Sequence, residues 1–361
     1  MKTTDSQSTE LGVECSAMGR FFAAYFIPLS AAIGLWLGGA WAWLTVVFVY
    51  GLVPVVDRWV GGDTRNLEGE ALVAARASRT ADWALYVALP VQLGLFWGLA
   101  GAWQGEAGVL ERAGWVLSTA LACGGLGIVI GHELVHRRDR REYWVGKLLL
   151  GTVLYMHFAI EHVRGHHARV ATDDDPASAR RGQTVYGFIP GSVLRQFASA
   201  WALEAERLAR TGRGPWTWRN EMLVGLALQV AWLAAVALAF GREVMAVFIA
   251  VAALAVGLLE VVNYIEHYGL RRRRDATGRL EPVRAHHSWN SDHVVSRALL
   301  FELPRHTDHN INGGRPYQTL RSVAGAPQLP AGYPMMVLMA LWPPLWFRVM
   351  DPRVAAVSAP Q

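Results

Sequence analysis

From Trp115 to His136 the chain reads WVLSTALACGGLGIVIGHELVH. Its first part, Trp115–Gly131, carries no charge and has the length of a short bilayer span, which needs about 17–25 apolar residues. The stretch turns polar at His132, Glu133 and His136. Positions i and i+4 share one face of a helix, so both imidazoles can reach a single metal. An apolar helix that leaves the membrane on paired imidazoles sets the expected class: an all-α integral-membrane protein with metal chemistry at the mouth of its bundle.

Working outward, five more segments are apolar enough to span: Phe21–Gly39, Ala40–Val56, Asp82–Trp103, Met222–Phe240 and Val244–Asn263. Gly38-Gly39 reads as a tight hairpin between the first two. Pro90 is expected to kink the third span without breaking it, because neighbouring helices can satisfy the freed carbonyl. Tyr333–Met350 is interrupted by Pro334, Pro343 and Pro344, and reads as an interfacial segment. The expected division is a cytoplasmic N-terminal segment (1–20), a six-helix membrane domain with a cytoplasmic cap (21–321), and a C-terminal interfacial segment and tail (322–361).

Composition agrees with this class. Of 361 residues, 53% are hydrophobic and 16 are Trp, high for a soluble protein. The net charge of +5 comes almost wholly from Arg, with Lys2 and Lys147 the only lysines, and these bases flank apolar segments rather than forming a nucleic-acid platform. Cys15 and Cys123 lie too far apart in sequence to read as a disulfide framework or a thiolate site. The polar N-terminus lacks a cleavable-signal layout, so Phe21 onward reads as a retained helix. Arg58, Arg65, Arg76 and Arg79 follow the second span, and the connections after the fourth and sixth are Arg-rich. The loops after the third and fifth hold only Arg112 and Arg242. By the positive-inside rule, the termini and both large polar regions face the cytoplasm.

All twelve histidines lie between His132 and His309. The first group, His132-Glu133-Leu134-Val135-His136, taken alone is the zinc-peptidase pattern with Glu133 as base. The second is Glu161-His162-Val163-Arg164-Gly165-His166-His167. In a regular helix its His162 and His166 share a face, and His167, rotated by about 100°, serves a second metal. The third is Asn263 to Gly269 around His267, and the fourth Leu303 to Asn310 with His306 and His309. Together they offer eight imidazoles. A catalytic zinc needs three protein ligands, so eight fit two metals. Imidazole suits Fe, Zn, Cu or Ni, and of these iron can use O2 against hard C–H bonds.

These four groups, HELVHR, EHVRGHH, NYIEHYGL and LPRHTDHN, resemble the motifs of the membrane-bound alkane monooxygenases (HELxHK, EHxxGHH, NYxEHYGL and LxRHSxHH). The segment His287 to His293 is similar as well. The resemblance runs from the first span through Arg321, and xylene-side-chain monooxygenases and acyl desaturases look like more distant relatives. It implies an alkane 1-monooxygenase-like non-haem di-iron oxidoreductase of the bacterial inner membrane. Electrons would come from rubredoxin, charged by an NAD(P)H-dependent reductase. The metal ligands implied are His132, His136, His162, His166, His167, His267, His306 and His309. The family's ninth ligand falls on Asn310, and Arg137 replaces a family Lys.

The function expected is O2-dependent hydroxylation of an unactivated, terminal carbon of a medium or long alkane or alkyl chain. Alternatives are an acyl-lipid desaturase or hydroxylase, an alkyl-aromatic side-chain monooxygenase, and a membrane zinc metallopeptidase. A metal or haem transporter would need polar residues at mid-membrane, and the spans offer almost none. Glu133, Glu161, Glu266 and Asp308 are expected to accept N–H bonds from ligand imidazoles, the alternative being solvated acids. His157 reads as a hydrogen-bonded core histidine, and His286, His287 and His293 as structural residues or supports of the ligands. Gly124, Gly125 and Gly127 either leave room for substrate or allow close helix packing. Trp41 and Trp43 read as belt or core residues. Arg137, Arg138, Arg140, Arg141 and Arg271–Arg274 form an expected basic rim, set by topology or by docking of an acidic carrier.

Overall fold

A computed structural model describes residues 18–358. Most of the N-terminal segment, with Cys15, and the last three residues lie outside the described residues. Among the described residues the chain is helical throughout, with isolated bridges Gly62–His293, Arg274–Leu280 and Asn290–Gln328 in place of a sheet.

Six helices are long and apolar enough to cross a membrane: α1 (Arg20–Leu37), α2 (Gly39–Val60), α3 (Gly69–Trp103), α4 (Val109–Val135), α8 (Glu221–Phe240) and α9 (Arg242–His267). The chain is a multi-pass membrane protein, as the apolar runs required. Between α4 and α8 lie α5 (Arg140–Thr152), α6 (residues 158–169) and α7 (Val185–Ala209). After α9 come α10 (Val294–Leu299), α11 (His306–Ile311), α12 (Tyr333–Ala340) and α13 (Pro343–Ser358).

Sequence and structure agree most closely where the chemistry is local. Gly38 and Gly39 both take positive φ (65° and 56°), and the Gly39 N–H donates to Glu111 at 2.7 Å, closing the α1–α2 hairpin. The third span starts earlier than expected. Its helix loosens at Ala77 and at Val87, where a new segment begins at Ala88. Pro90 therefore sits in a first turn, where its missing N–H costs little.

The bundle's apolar middle is built from Phe96, Leu99, Trp115, Phe158, Phe248 and Val251, all buried. A second cluster joins the end of α9 to the C-terminal helices through Tyr264, Tyr268, Tyr333 and Trp346. The 333–350 stretch is thus two short helices, half packed on α9, with Leu338, Leu341 and Trp342 left exposed. At the end of α2, the buried Asp57 accepts from the Val295 and Ser296 N–H groups (3.0 and 3.1 Å), capping α10 and tying a span to the polar half.

Polar side chains buried within the spans include Glu260 and Gln92, both paired. Glu260 lies fully buried in α9, accepting from Tyr155 (3.0 Å), Gln196 (2.8 Å) and Asn263 (3.3 Å). Gln92 is buried in α3. An apolar average over a window hides single polar residues whose partners come from elsewhere in the fold.

Candidate metal centre

The site forms where α4, α6, α9 and α11 end near one another. Helix α4 runs past the apolar stretch to Val135, so it carries His132 in its last turn and His136 at its cap. Close crossing fixes this end: a Cβ on Gly146 of α5 would lie 2.9 Å from Gly131 O and from Leu134 Cβ. Helix α9 ends on His267, and Tyr264 and Tyr268 anchor that end through bonds to Gln183 O and Asp351, both 2.7 Å.

Helix α11 is short and would not hold its position alone. The loop before it carries Phe301 and Glu302 at positive φ (49° and 56°), a strained pair for non-glycine residues. Arg297 clamps Glu302 at 2.6 Å. Buried Arg305 donates to Leu320 O (2.7 Å), Arg65 O (2.9 Å) and Asp63 O (3.1 Å). These charged hydrogen bonds, each worth more than a neutral one, fix the start of the helix that presents His306 and His309.

The imidazoles meet in two adjoining groups. His132, His136, His162 and His309 make one, and His166, His267 and His306 the other; within each, the ligating nitrogens lie within 4.8 Å of one another. His132 and His309 face each other Nε2 to Nε2 at 3.0 Å, and His267 and His306 at 3.1 Å. His167 Nε2 lies 3.1 Å from His162 Nε2 and 3.3 Å from His136 Nε2, which places it beside the first group. The expected arrangement, His162 and His166 on one metal with His167 on another, is not the one found. Residues His162–His166 form a π turn, and a π turn brings i and i+5 together. His162 therefore meets His167, while His166 turns to His267, ring centroids 4.8 Å apart.

These separations fit metal ions better than hydrogen bonds. Two nitrogens bound side by side at about 2.1 Å from one metal stand about 3.0–3.4 Å apart. A neutral ring has one N–H and one lone pair, yet His167 Nε2 faces two other Nε2 atoms. His166 Nε2 is buried with no partner. Burial, and then neighbouring imidazoles, hold His136, His162, His167, His306 and His309 well below the ordinary value of 6.5. Neutral imidazole is the form that binds metal. Each group could hold a metal ion.

The carboxylates divide differently from expectation. Glu266 Oε1 lies 3.2 Å from His306 Nδ1, a contact without hydrogen-bond geometry, and accepts from Tyr333 at 2.8 Å. Glu133 turns instead to Arg137 (3.0 Å) and the Tyr317 N–H (3.3 Å), Glu161 to Arg169 (2.8 Å) and Ser199 (3.2 Å), and Asp308 to Arg321 and Asn312. None of these three reaches a ligand ring. A zinc peptidase needs Glu133 free to act as base at the metal, and its pairing with Arg137 argues against that chemistry.

A buried carboxylate outside the four motifs does bond one of the rings. His166 Nδ1 lies 3.0 Å from Asp175 Oδ2, and both are buried. In the metal-free chain burial works to raise the Asp175 carboxyl, but the charge and hydrogen bond of a protonated His166 outweigh it and hold it at about 2; a metal on Nε2 would replace the second proton of that ring. Ser178 and the Ala177 N–H complete its shell at 2.6 and 3.1 Å. Its only trace in the sequence is the run Asp173-Asp174-Asp175-Pro176.

The remaining histidines stay outside both groups. His157 packs edge-on against Tyr155 (4.3 Å), but its Nε2 is buried without the expected hydrogen bond. His287 lies 3.2 Å from Glu281 and accepts from the Arg284 N–H at 2.9 Å; His286 stands beside it. His293 pairs with Ser291 at 2.9 Å. Asn310 is buried; its Nδ2 donates to Ser288 Oγ at 2.7 Å, and its Oδ1 has no partner.

An apolar cavity opens onto the imidazoles. Ile27, Tyr50, Leu121, Leu258 and Val337 line it, and His132, His162 and His306 form its end. Gly124 and Gly125 line it too, whereas the Cβ position of Gly127 is filled by the Gln92 side chain. Trp41 is exposed, and Trp43 bonds Leu110 O at 3.1 Å, both away from the cavity lining. The basic rim is less uniform than its sequence. Arg271 and Arg272 clamp backbone carbonyls, including Ala179 O (3.2 Å) and Glu281 O (2.6 Å), and Arg137 pairs with Glu133. Arg138, Arg140 and Arg141 are exposed.

With this geometry in view, a family model described as fatty acid desaturase matches residues 107–338. Alkane 1-monooxygenase 2 of Pseudomonas aeruginosa is 42% identical over 344 residues, 92% of this chain and 90% of its own length. Alkane 1-monooxygenase 1 of the same organism is 41% identical, over 98% and 94% of the two chains. The hydroxylase component of xylene/toluene monooxygenase of Pseudomonas putida is 32% identical, over 90% and 86%.

Proposed function

Since the chain belongs to the alkane 1-monooxygenase family, within the wider fatty acid desaturase group, we propose that it hydroxylates a terminal, unactivated carbon of an alkane or alkyl chain with O2. One observation carries this reading: two adjoining groups of buried imidazoles end an apolar cavity. Bound there, two iron ions would supply the oxidation of a C–H bond by O2.

His132, His136, His162 and His309 hold the first iron, with His167 beside them. His166, His267 and His306 hold the second. Asn310, whose Oδ1 has no other partner, would be its fourth donor. It stands one turn after His306 on α11, so the two share a face. A neutral amide oxygen is a weaker donor than the imidazole found there in the family. Asp175 fixes His166 with Nε2 free for the metal, and Glu266 stands beside His306 Nδ1. The cavity walls exclude water and bring one carbon to the imidazole end.

Electrons come from a rubredoxin charged by an NAD(P)H-dependent reductase. His136 and His167 are the ligand rings that reach toward solvent, and the unclamped Arg138, Arg140 and Arg141 follow His136 directly, which supports carrier docking there. The site faces the cytoplasm from the bacterial inner membrane. Similarity to the xylene/toluene enzyme keeps an alkyl-aromatic side chain as the second substrate reading.

The test is product analysis by mass spectrometry, using membranes supplied with rubredoxin, reductase, NADH and a panel of alkanes and alkyl aromatics. A terminal alcohol from an alkane supports the proposal. Benzylic alcohols alone move it to the second reading, and desaturated acyl lipids with no alcohol overturn it.

A further inference from the structure

Helix α7 buries polar side chains among Val185, Phe188 and Leu208 and leaves large apolar ones uncovered. Its inward face carries Ser192, Gln196 and Glu204, all buried and hydrogen-bonded. Its outward face carries Tyr186, Leu194 and Phe197, with Leu194 72% exposed. A helix facing only water seldom leaves such an apolar stripe uncovered. The loop after it, residues 210–220, holds Trp216 and Trp218, 79% and 77% exposed, and then leads directly into α8. That span is itself largely exposed and apolar, with Leu238 at 88%. The other end of α7 meets the C-terminal corner, where Tyr186 donates to Leu341 O at 2.6 Å beside the exposed Trp342.

Charge follows the same line. Arg219 stacks on the Trp218 ring at 4.7 Å. Among the described residues, neither Arg213 nor Arg219 pairs with a carboxylate, whereas Glu206 is taken by Arg210 at 2.6 Å. Exposed tryptophans beside unpaired arginines, a few residues from a span, suit the headgroup layer.

We propose that α7 and the loop after it lie on the membrane surface rather than in the cytoplasmic cap. The Tyr186–Leu194–Phe197 stripe and the two tryptophans sit at the acyl boundary, and Arg213 and Arg219 hold anionic lipid headgroups. The partner is the bilayer that the spans already cross, which is why a lipid surface, rather than another protein, covers this face.

The full chain is labelled with bimane at Leu194→Cys, Trp218→Cys or, as a control on the exposed 271–280 hairpin, Ala276→Cys. The background is Cys15→Ser; Cys123 is buried and does not label. Labelled protein is placed in nanodiscs of phosphatidylcholine, with or without phosphatidylglycerol. Labels at 194 and 218 should be quenched by brominated lipid and lose quenching by aqueous iodide, with the reverse at 276. Phosphatidylglycerol should deepen the label at 218, and Arg213→Gln with Arg219→Gln should abolish that shift. Iodide quenching at 194 and 218 equal to that at 276 overturns the proposal and marks the face for a protein partner. Lipid quenching with no phosphatidylglycerol dependence overturns the headgroup assignment.

Discussion

His166 and Asp175, nine residues apart, form a buried pair in which imidazole Nδ1 faces carboxylate oxygen at 3.0 Å. The pair leaves Nε2 of the same ring, which has no other partner, for a metal. Asp175→Asn keeps the shape but weakens the acceptor. Loss of such a support typically lowers metal affinity by about 10- to 100-fold. After dialysis against a graded chelator, the variant should lose close to half its iron before the parent chain loses any. Equal retention would reduce the pair to a folding contact.

The same rings predict how the metal-free chain responds to acid. Burial first, then neighbouring imidazoles, depress His136, His162, His167, His306 and His309 in the folded state. Unfolded imidazoles titrate near about 6.5. Below that pH the unfolded chain takes up protons that the folded chain refuses, so stability is full above it and falls as pH drops. Chelated protein should show a falling Tm between about pH 7 and pH 5, and iron-loaded protein a higher Tm throughout. A flat profile for the chelated form would contradict the neutral state of these rings.

Asn310 gives a third test. Asn310→His should keep two irons bound and change the rate or product ratio. Asn310→Ala removes the donor and should weaken one iron, seen as a fall from about two toward one per chain with an altered Mössbauer spectrum. Should Asn310→Ala leave iron content, rate and products unchanged, the residue serves only to hold Ser288.

The arginines separate by what they touch. Changing Arg138, Arg140 and Arg141 to Gln should raise the apparent KM for rubredoxin and flatten its dependence on salt, with iron content and Tm unchanged. Changing Arg271 and Arg272 to Gln removes bonds to backbone carbonyls and should lower Tm instead. Steady-state kinetics and thermal scans on both sets decide the matter; the reverse pattern would move docking to the second cluster.

How far the sequence could be read depended on the range of the interaction. The six spans need only a window of apolar residues, and the hairpin only two glycines. The histidine groups stood out because eight imidazoles at helical spacings gather at the ends of apolar segments. What sequence could not give was pairing across the fold. Asp175 looks like one of three solvated acids until the chain folds back on His166. Glu260 is hidden within an apolar window because its partners Tyr155, from a loop, and Gln196, from another helix, are distant in sequence. Arg271 and Arg272 read as free charges because the carbonyls they hold are invisible in a string of letters. The π turn at His162 was misread for another reason: spacing assumes a regular helix, and one extra residue per turn exchanges the partners.

That turn also limits what descent can vary. His162 meets His167 and not His166 because of one widened turn of backbone, so the sharing of rings between the groups is written in main chain and not in side chains. Point substitution can retune either group but cannot move them apart or together. Only an insertion or deletion could do that, and it would misdirect every ring downstream in the helix. Side-chain changes on this scaffold therefore work around one fixed interval, at positions such as 310 and along the walls of the cavity.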